Sequence, residues 1–402
     1  MTSAAVIATN IKEKESGRVL TFFLAILPVV MMYHFPGVHY GFATMLIAVG
    51  VLFSGLVILR RHNKVDWGLV FILSLYMGYA IYKSVGLNFI LPLAIIIHIA
   101  AISTGVVNGS YLRKCIEAIS VLAALSVIVQ QIVHITSGFH VPLINVNWLT
   151  EELYYYEPLI KSGYGTEAMY RPSAFFLEPA HFTQYVIFGL GSVLFRPIPN
   201  TKRALLLSFG LFSTTSGMGF VLTFAIWGWW YLTYKRIGTS KGLITTTILI
   251  IVIGIAVLAL LSNIPFFASI ISRLTGTGGA DYNAIDGRLF FWNSLFGDER
   301  TNSLLFGFGE QSVLDLVEEN VYFTGFMKIL YAYGIIGFAM YSIFLLYLLI
   351  HTNSIARMYV IIYIGLLFIA NLTGFINIIF YIGITLVYSQ INMKYRKAKV
   401  FI

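Results

Sequence analysis

The chain has 402 residues, 58% hydrophobic and 11% charged, with a mean hydropathy of +0.83. Soluble domains carry roughly a quarter charged residues, so this composition excludes an ordinary water-soluble globule and points to lipid as the solvent. The single cysteine, Cys115, excludes an intrachain disulfide and a cysteine-cluster metal site, and the net charge of +9 has to be read by position, as a nucleic-acid surface or as a membrane-topology signal.

The segment Met1–Arg18 is polar and mildly basic and runs into apolar Val19–Met32 with no small-residue cleavage site behind it. That stretch is expected to be retained as a first anchor. A helix needs about 20 apolar residues to cross the hydrocarbon core. Further spans are expected at Gly41–Leu59, Trp67–Tyr82, Phe89–Val106, Cys115–Ile135, Ala174–Phe195, Ala204–Ser216, Phe220–Tyr234, Ile244–Leu261, Phe323–Ile350, Tyr359–Leu372 and Ile376–Ser389, making twelve. The seventh and eighth are short and meet at Ser213-Thr-Thr-Ser-Gly-Met-Gly219, which predicts a broken hairpin. The expected fold is therefore all-α, a polytopic transmembrane bundle forming one integral membrane domain.

With the N-terminus inside, 19 of the 26 lysines and arginines fall on inner ends. This follows the positive-inside rule and places both termini in the cytoplasm. The charge then faces anionic lipid, and no nucleic-acid partner is expected. Two long segments, about 136–170 and 262–322, lie outside. Long loops in a compact protein are usually functional or disordered. The second holds eight acids against Arg273, Arg288 and Arg300, so its arginines run against the local trend.

The first chemical constellation is Tyr170-Arg-Pro-Ser-Ala-Phe-Phe-Leu-Glu-Pro-Ala-His-Phe-Thr-Gln184, at the start of the sixth span. With Pro172 in a first helical turn, Arg171, Glu178 and His181 share one helical face. Pro179 would then free a carbonyl inside the helix and suit a cavity wall. Ionisable groups at this depth are costly unless paired or hydrated. Either Arg171 grips an anion while Glu178 or His181 moves a proton, or the three only order the helix.

The second is Asp286-Gly-Arg-Leu-Phe-Phe-Trp-Asn-Ser-Leu-Phe296, followed by Asn302-Ser-Leu-Leu-Phe-Gly-Phe-Gly309. Asp286 can cap a short amphipathic helix lying on lipid. Paired with Arg171, Arg288 gives the two guanidinium forks that suit a diphosphate. Arg273 is a further candidate cation. Lys328, five residues into the tenth span, either snorkels outward or adds another cation. Gly276-Thr-Gly-Gly279 and Gly307-Phe-Gly309 lack the setting of a nucleotide loop and read as flexible joints. Tyr170, Trp292, Glu319 and Asn320 are candidate sugar contacts. The histidines at 34, 39, 98, 134 and 140 show no metal-ligand spacing and are read as structural; no metal or cofactor is expected.

Together these residues resemble the O-antigen polymerase and O-antigen ligase superfamily, bacterial membrane glycosyltransferases of GT-C-like fold. Arg171-Pro-Ser-Ala-Phe-Phe-Leu-Glu-Pro179 looks like that family's arginine-bearing mid-chain span, and Ser213-Thr-Thr-Ser-Gly217 like its broken hairpin. Gly287-Arg288 with Leu305-Phe-Gly-Phe-Gly309 looks like its large external loop, and Tyr333-Gly-Ile-Ile-Gly337 like the span that follows. The ligases' His-Asn pair is absent: the spacing falls on Phe323-Thr324, and the nearest polar pair is Glu319-Asn320.

The resemblance implies polymerisation of undecaprenyl-diphosphate-linked repeat units into O-antigen, capsule or exopolysaccharide at the outer face of the bacterial inner membrane. Arg171 and Arg288 would steady the departing diphosphate, with Glu178 as general base and His181 as the alternative. The implied partners are the lipid-linked donor and acceptor, the bilayer, a chain-length regulator and a flippase. A transporter of the same lipid-linked sugars and a ligase with an unusual base are the rival readings.

Overall fold

The computed structural model describes residues 3–31, 33, 41–84, 89–138, 172–176, 178–196, 198–214, 216–234, 301–313 and 323–399. Among them the regular structure is helical, and no strand occurs. The helices are α1 (Ser3–Val30), α2 (Phe42–Arg61, continued by a 3₁₀ turn at His62–Lys64), α3 (Trp67–Lys83), α4 (Ile90–Ser103), α5 (Gly109–Ser137), α6 (Pro179–Leu194), α7 (Thr201–Ser213), α8 (Gly217–Tyr234), α9 (Thr301–Phe306), α10 (Gly325–His351), α11 (Ser354–Ile369) and α12 (Phe375–Lys399). Eleven of the twelve expected apolar stretches fall on these helices. The remaining stretch, Ile244–Leu261, lies outside the described residues.

Among the described residues, three helical segments, Phe42–Lys64, Gly109–Ser137 and Gly325–His351, are long and apolar enough to cross a membrane. Each presents an exposed apolar stripe at helical spacing: Leu52, Leu56 and Leu59; Leu122, Leu125, Val129 and Ile132; Ile343, Leu346 and Ile350. In water such stripes would be unstable, whereas hydrocarbon is their matching solvent. These apolar helices point to a membrane protein.

The chain divides into two compact units. The first comprises Met1–Tyr33, Val38–Leu112 and Asp286–Ile402. Within it α2 packs on α4, where Gly50 leaves room for the His98 ring: a β-carbon there would lie 2.5 Å from Nε2. His98 is buried, with Nδ1 2.7 Å from the Ala94 carbonyl oxygen, which fits the structural role expected of it.

Side chains in this unit cap helix ends and tie neighbouring helices together. Asp66 caps α3 by accepting from the Leu69 amide at 3.0 Å and also accepts the Tyr347 hydroxyl at 2.9 Å. Gln390 donates through Nε2 to the Ile102 and Ser103 carbonyls, each at 3.1 Å. Asn353 Nδ2 donates to those of Tyr388 and Ser389 at 3.1 and 2.7 Å. Between the ends runs a column of buried tyrosines. Tyr76 packs against Tyr341 at 4.8 Å between ring centroids, and the Tyr341 and Tyr363 hydroxyls are 2.7 Å apart. Tyr363 stacks on Tyr381 at 5.0 Å.

The second unit comprises His34–Gly37 and Arg113–Ile285. Its centre is α6, buried continuously from Phe182 to Leu194. Small residues let its helices close up. A β-carbon on Gly189 would overlap Ser120 on α5, and one on Gly210 would sit 2.7 Å from the Ala124 methyl. The expected break between the seventh and eighth apolar stretches is present: α7 ends at Ser213 and α8 starts at Gly217. The Gly219 amide donates to Ser216 Oγ, and Trp227 Nε1 donates to Ser208 Oγ at 2.8 Å, closing the hairpin.

Candidate functional site

In the first unit α10 is not one continuous helix. Gly334 has φ 66° and ψ −170°, so the ladder opens around it. A helix that opens leaves carbonyls without their amide partners, which hydrocarbon does not tolerate. Here the segment after α9 supplies the missing donors: the Phe308 amide donates to the Tyr331 carbonyl and the Gly309 amide to that of Ala332, both at 2.8 Å. Gly307 (φ 75°) and Gly309 (φ 91°) adopt backbone that favours glycine. The approach also requires bare α-carbons. A β-carbon on Gly307 would lie 2.4 Å from the Ala332 oxygen, and one on Gly334 equally close to the Leu305 oxygen. Tyr79 donates to the Phe306 carbonyl at 3.0 Å, and Phe308 stacks on Tyr331 at 4.5 Å. The expectation that Gly307-Phe-Gly309 is a flexible joint is therefore corrected: its glycines are needed because this backbone is docked into a broken helix.

Beside the break stands a polar group. Glu310, immediately after Gly309, accepts through Oε1 from Lys328 Nζ at 3.2 Å. Its Oε2 accepts the hydroxyls of Tyr333 and Ser84, each at 3.3 Å. Lys328 is placed by the first turn of α10, Tyr333 by the turn at the break, and Ser84 by the C-cap of α3. The lysine side chain is only 17% exposed and the glutamate 38%. Lysine and tyrosine donors thus converge on one carboxylate, with the Ser84 hydroxyl beside them and shared with the Ala80 carbonyl at 2.8 Å; such a group suits hydrogen bonding to a hydroxyl-rich ligand. Lys328 is thus paired with Glu310 in the first unit.

In the second unit the sixth apolar stretch begins its helix later than the sequence suggests. Pro172–Phe176 is non-helical, and α6 starts with Pro179 in its first turn. Glu178 is the N-cap residue, extended at φ −138° and ψ 156°, as a residue before proline prefers. Glu178 therefore does not share a helical face with His181 as expected, and Arg171 lies outside the described residues. Pro179 frees no carbonyl either, since a first-turn amide has no intrahelical partner to lose. What remains is Glu178 at the N-cap and His181 in the first turn of α6. The Glu178 carbonyl accepts the Phe182 amide at 3.1 Å. Just upstream, Ala174 adopts φ 54° and is held by its amide donating to Gln130 Oε1 at 2.9 Å. A non-glycine residue there costs about 1–2 kcal/mol, so the turn is enforced by its surroundings.

Tyr170, Arg171, Arg273, Arg288, Trp292, Glu319 and Asn320 lie outside the described residues, as does the amphipathic helix expected after Asp286. Sequence reasoning missed Glu310 and Tyr333. The available signal was the coincidence of glycines in Leu305-Phe-Gly-Phe-Gly309 and Tyr333-Gly-Ile-Ile-Gly337, which the fold brings face to face. No protein-family model and no curated protein matches this sequence.

Proposed function

We propose that this chain is a multi-pass membrane glycosyltransferase that polymerises polyprenyl-diphosphate-linked oligosaccharide units at the outer face of a bacterial inner membrane. The observation that carries this reading is the broken α10 with its docked glycines and the Glu310–Lys328 pair beside it. Opened backbone and paired charge within an apolar bundle are costly features that mark a working site by default. The two segments involved, Leu305–Gly309 and Tyr333–Gly337, are also among those whose sequences resemble the polymerase and ligase superfamily.

The chemistry asks for three things: an acceptor sugar hydroxyl, a group to take its proton, and cations to steady the departing diphosphate. Glu178, with His181 as the alternative, is assigned the proton; Arg171 and Arg288 are assigned the diphosphate charge, with Arg273 as a further cation. Glu310 holds Lys328 in place, and the ammonium hydrogens it does not use are assigned to a sugar hydroxyl or phosphate oxygen. The leaving diphosphate comes with the substrate, so the reaction draws its driving force from the donor itself.

A second reading, a carrier for the same lipid-linked sugars, is favoured by the discontinuous helix alone, since carriers build binding sites from such breaks. One experiment separates the two. Purified protein is incubated with a synthetic lipid-linked repeat unit and the products are resolved by length. A ladder of longer glycans is expected; unchanged substrate that has crossed the bilayer of a proteoliposome would replace the polymerase by the carrier.

A further inference from the structure

The second unit holds a charged cluster that the proposed reaction does not use. Glu117 on α5 is buried, its side chain 6% exposed. Arg203 Nη1 lies 3.3 Å and Arg196 Nη1 3.7 Å from its Oε2, and Arg113 Nε lies 3.8 Å from Oε1. Ser192 donates to Oε1 at 3.4 Å, and Arg196 Nε donates to the Val193 carbonyl at 3.2 Å. Three guanidinium groups therefore meet one carboxylate, an excess of two positive charges at one corner. The excess is not fully satisfied from within. Among the described residues Arg196 Nη2 has no hydrogen-bond partner, and the Arg203 side chain is 53% exposed, so the excess charge is open to a ligand.

The surroundings say what kind of ligand. Ile198, between Arg196 and Arg203, is 84% exposed, and Leu205 and Phe209 on α7 are exposed beyond it at 62% and 58%. Lys202 stands in the first turn of α7 next to Arg203. Charge at the corner with bare hydrocarbon alongside matches a molecule having an anionic head and an acyl tail. A free inorganic ion would use the first feature and leave the second unexplained. We propose that Arg196 and Arg203, held in place by Glu117, bind the phosphate of an anionic phospholipid in the leaflet that this corner faces. Arginine is the apt residue because its planar fork meets two phosphate oxygens at once. Glu117 aims the forks and keeps them from repelling one another when no lipid is present. The proposal rests on the apolar helices lying in lipid and is independent of glycosyl transfer.

The test uses the full chain purified in mild detergent and supplied with phosphatidylglycerol, with phosphatidylcholine of the same acyl chains, or with inorganic phosphate. Native mass spectrometry reads the lipid retained, and thermal unfolding reads stabilisation. Phosphatidylglycerol is expected to be retained on the order of tenfold more than phosphatidylcholine, the scale set by an excess of two charges near a membrane surface. Inorganic phosphate is expected to leave the unfolding midpoint unchanged. R203Q should erase most of the preference. E117Q keeps an acceptor oxygen to aim the forks while removing the charge that competes with phosphate, and should tighten retention, a direction that a misfolded variant would not produce. Equal retention of the two lipids by the unaltered protein overturns the proposal, as does an unchanged preference in R203Q. A phosphate ion that stabilises as well as the lipid transfers the site to a soluble anion and overturns it too.

Discussion

At the scale of single residues, the first unit turns on Glu310. Its carboxylate meets a lysine and two hydroxyls, so Glu310→Gln would keep the shape and remove the charge that Lys328 faces. Removing one partner of a half-buried charged hydrogen bond costs about 1–3 kcal/mol. We expect E310Q to insert normally, unfold at a lower temperature and form polymer at a small fraction of the wild-type rate in the ladder assay; a full-length ladder at normal rate would remove Glu310 from the site. Arg171→Ala and Arg288→Ala are each expected to abolish polymer while leaving the protein level in membranes unchanged, because a departing diphosphate loses a bidentate partner. Normal-length polysaccharide in either variant would falsify the assignment. Glu178 and His181 both belong to the start of α6, so kinetics must choose between them. Glu178→Gln is expected to lose more activity than His181→Ala, and the opposite ranking moves the base role to the histidine.

At the scale of elements, the helices were legible because long apolar runs separated by charged or glycine-rich joints carry the signal directly. Two features were not. The start of α6 was placed too early because Pro172 and Pro179 are equally good first-turn residues, and only tertiary contacts, such as Gln130 holding the Ala174 amide, decide which is used. The break in α10 was invisible because hydropathy is blind to backbone direction: glycines at 334 and 337 sit in an apolar run like any other. The break can be tested by substitution. Gly334→Ala combines a left-handed φ with a clash against main chain and should cost about 2 kcal/mol or more. Gly365→Ala, within α11 with open space around its β-carbon, should instead stabilise by roughly 0.5–1 kcal/mol. Thermal unfolding of the two in the same detergent checks the contrast; equal midpoints would mean that the opened turn is not held as described.

At the scale of the whole molecule, the basic residues forecast which loops face the cytoplasm. Fusing a reporter that is active only outside the cytoplasm to the C-terminus should give no signal, and one that is active only inside should be bright; the reverse pattern would invert the expected orientation. Composition and charge made lipid as solvent and helix as the structural currency readable from the sequence alone. They did not reveal Glu310 and Lys328 as partners, since a pairing across eighteen residues leaves no local periodicity. The contact between Gly307 and Gly334 also bears on how such a protein diverges. A main-chain wall cannot swing aside as a rotamer does, so neither glycine can be exchanged alone and no compensating change elsewhere restores the fit. Side chains around the bundle are free to drift so long as they stay apolar, whereas this pair is fixed by geometry. Distant kin are therefore better sought by a Gly-x-Gly ahead of a long apolar run that carries its own glycine in the first half than by overall identity.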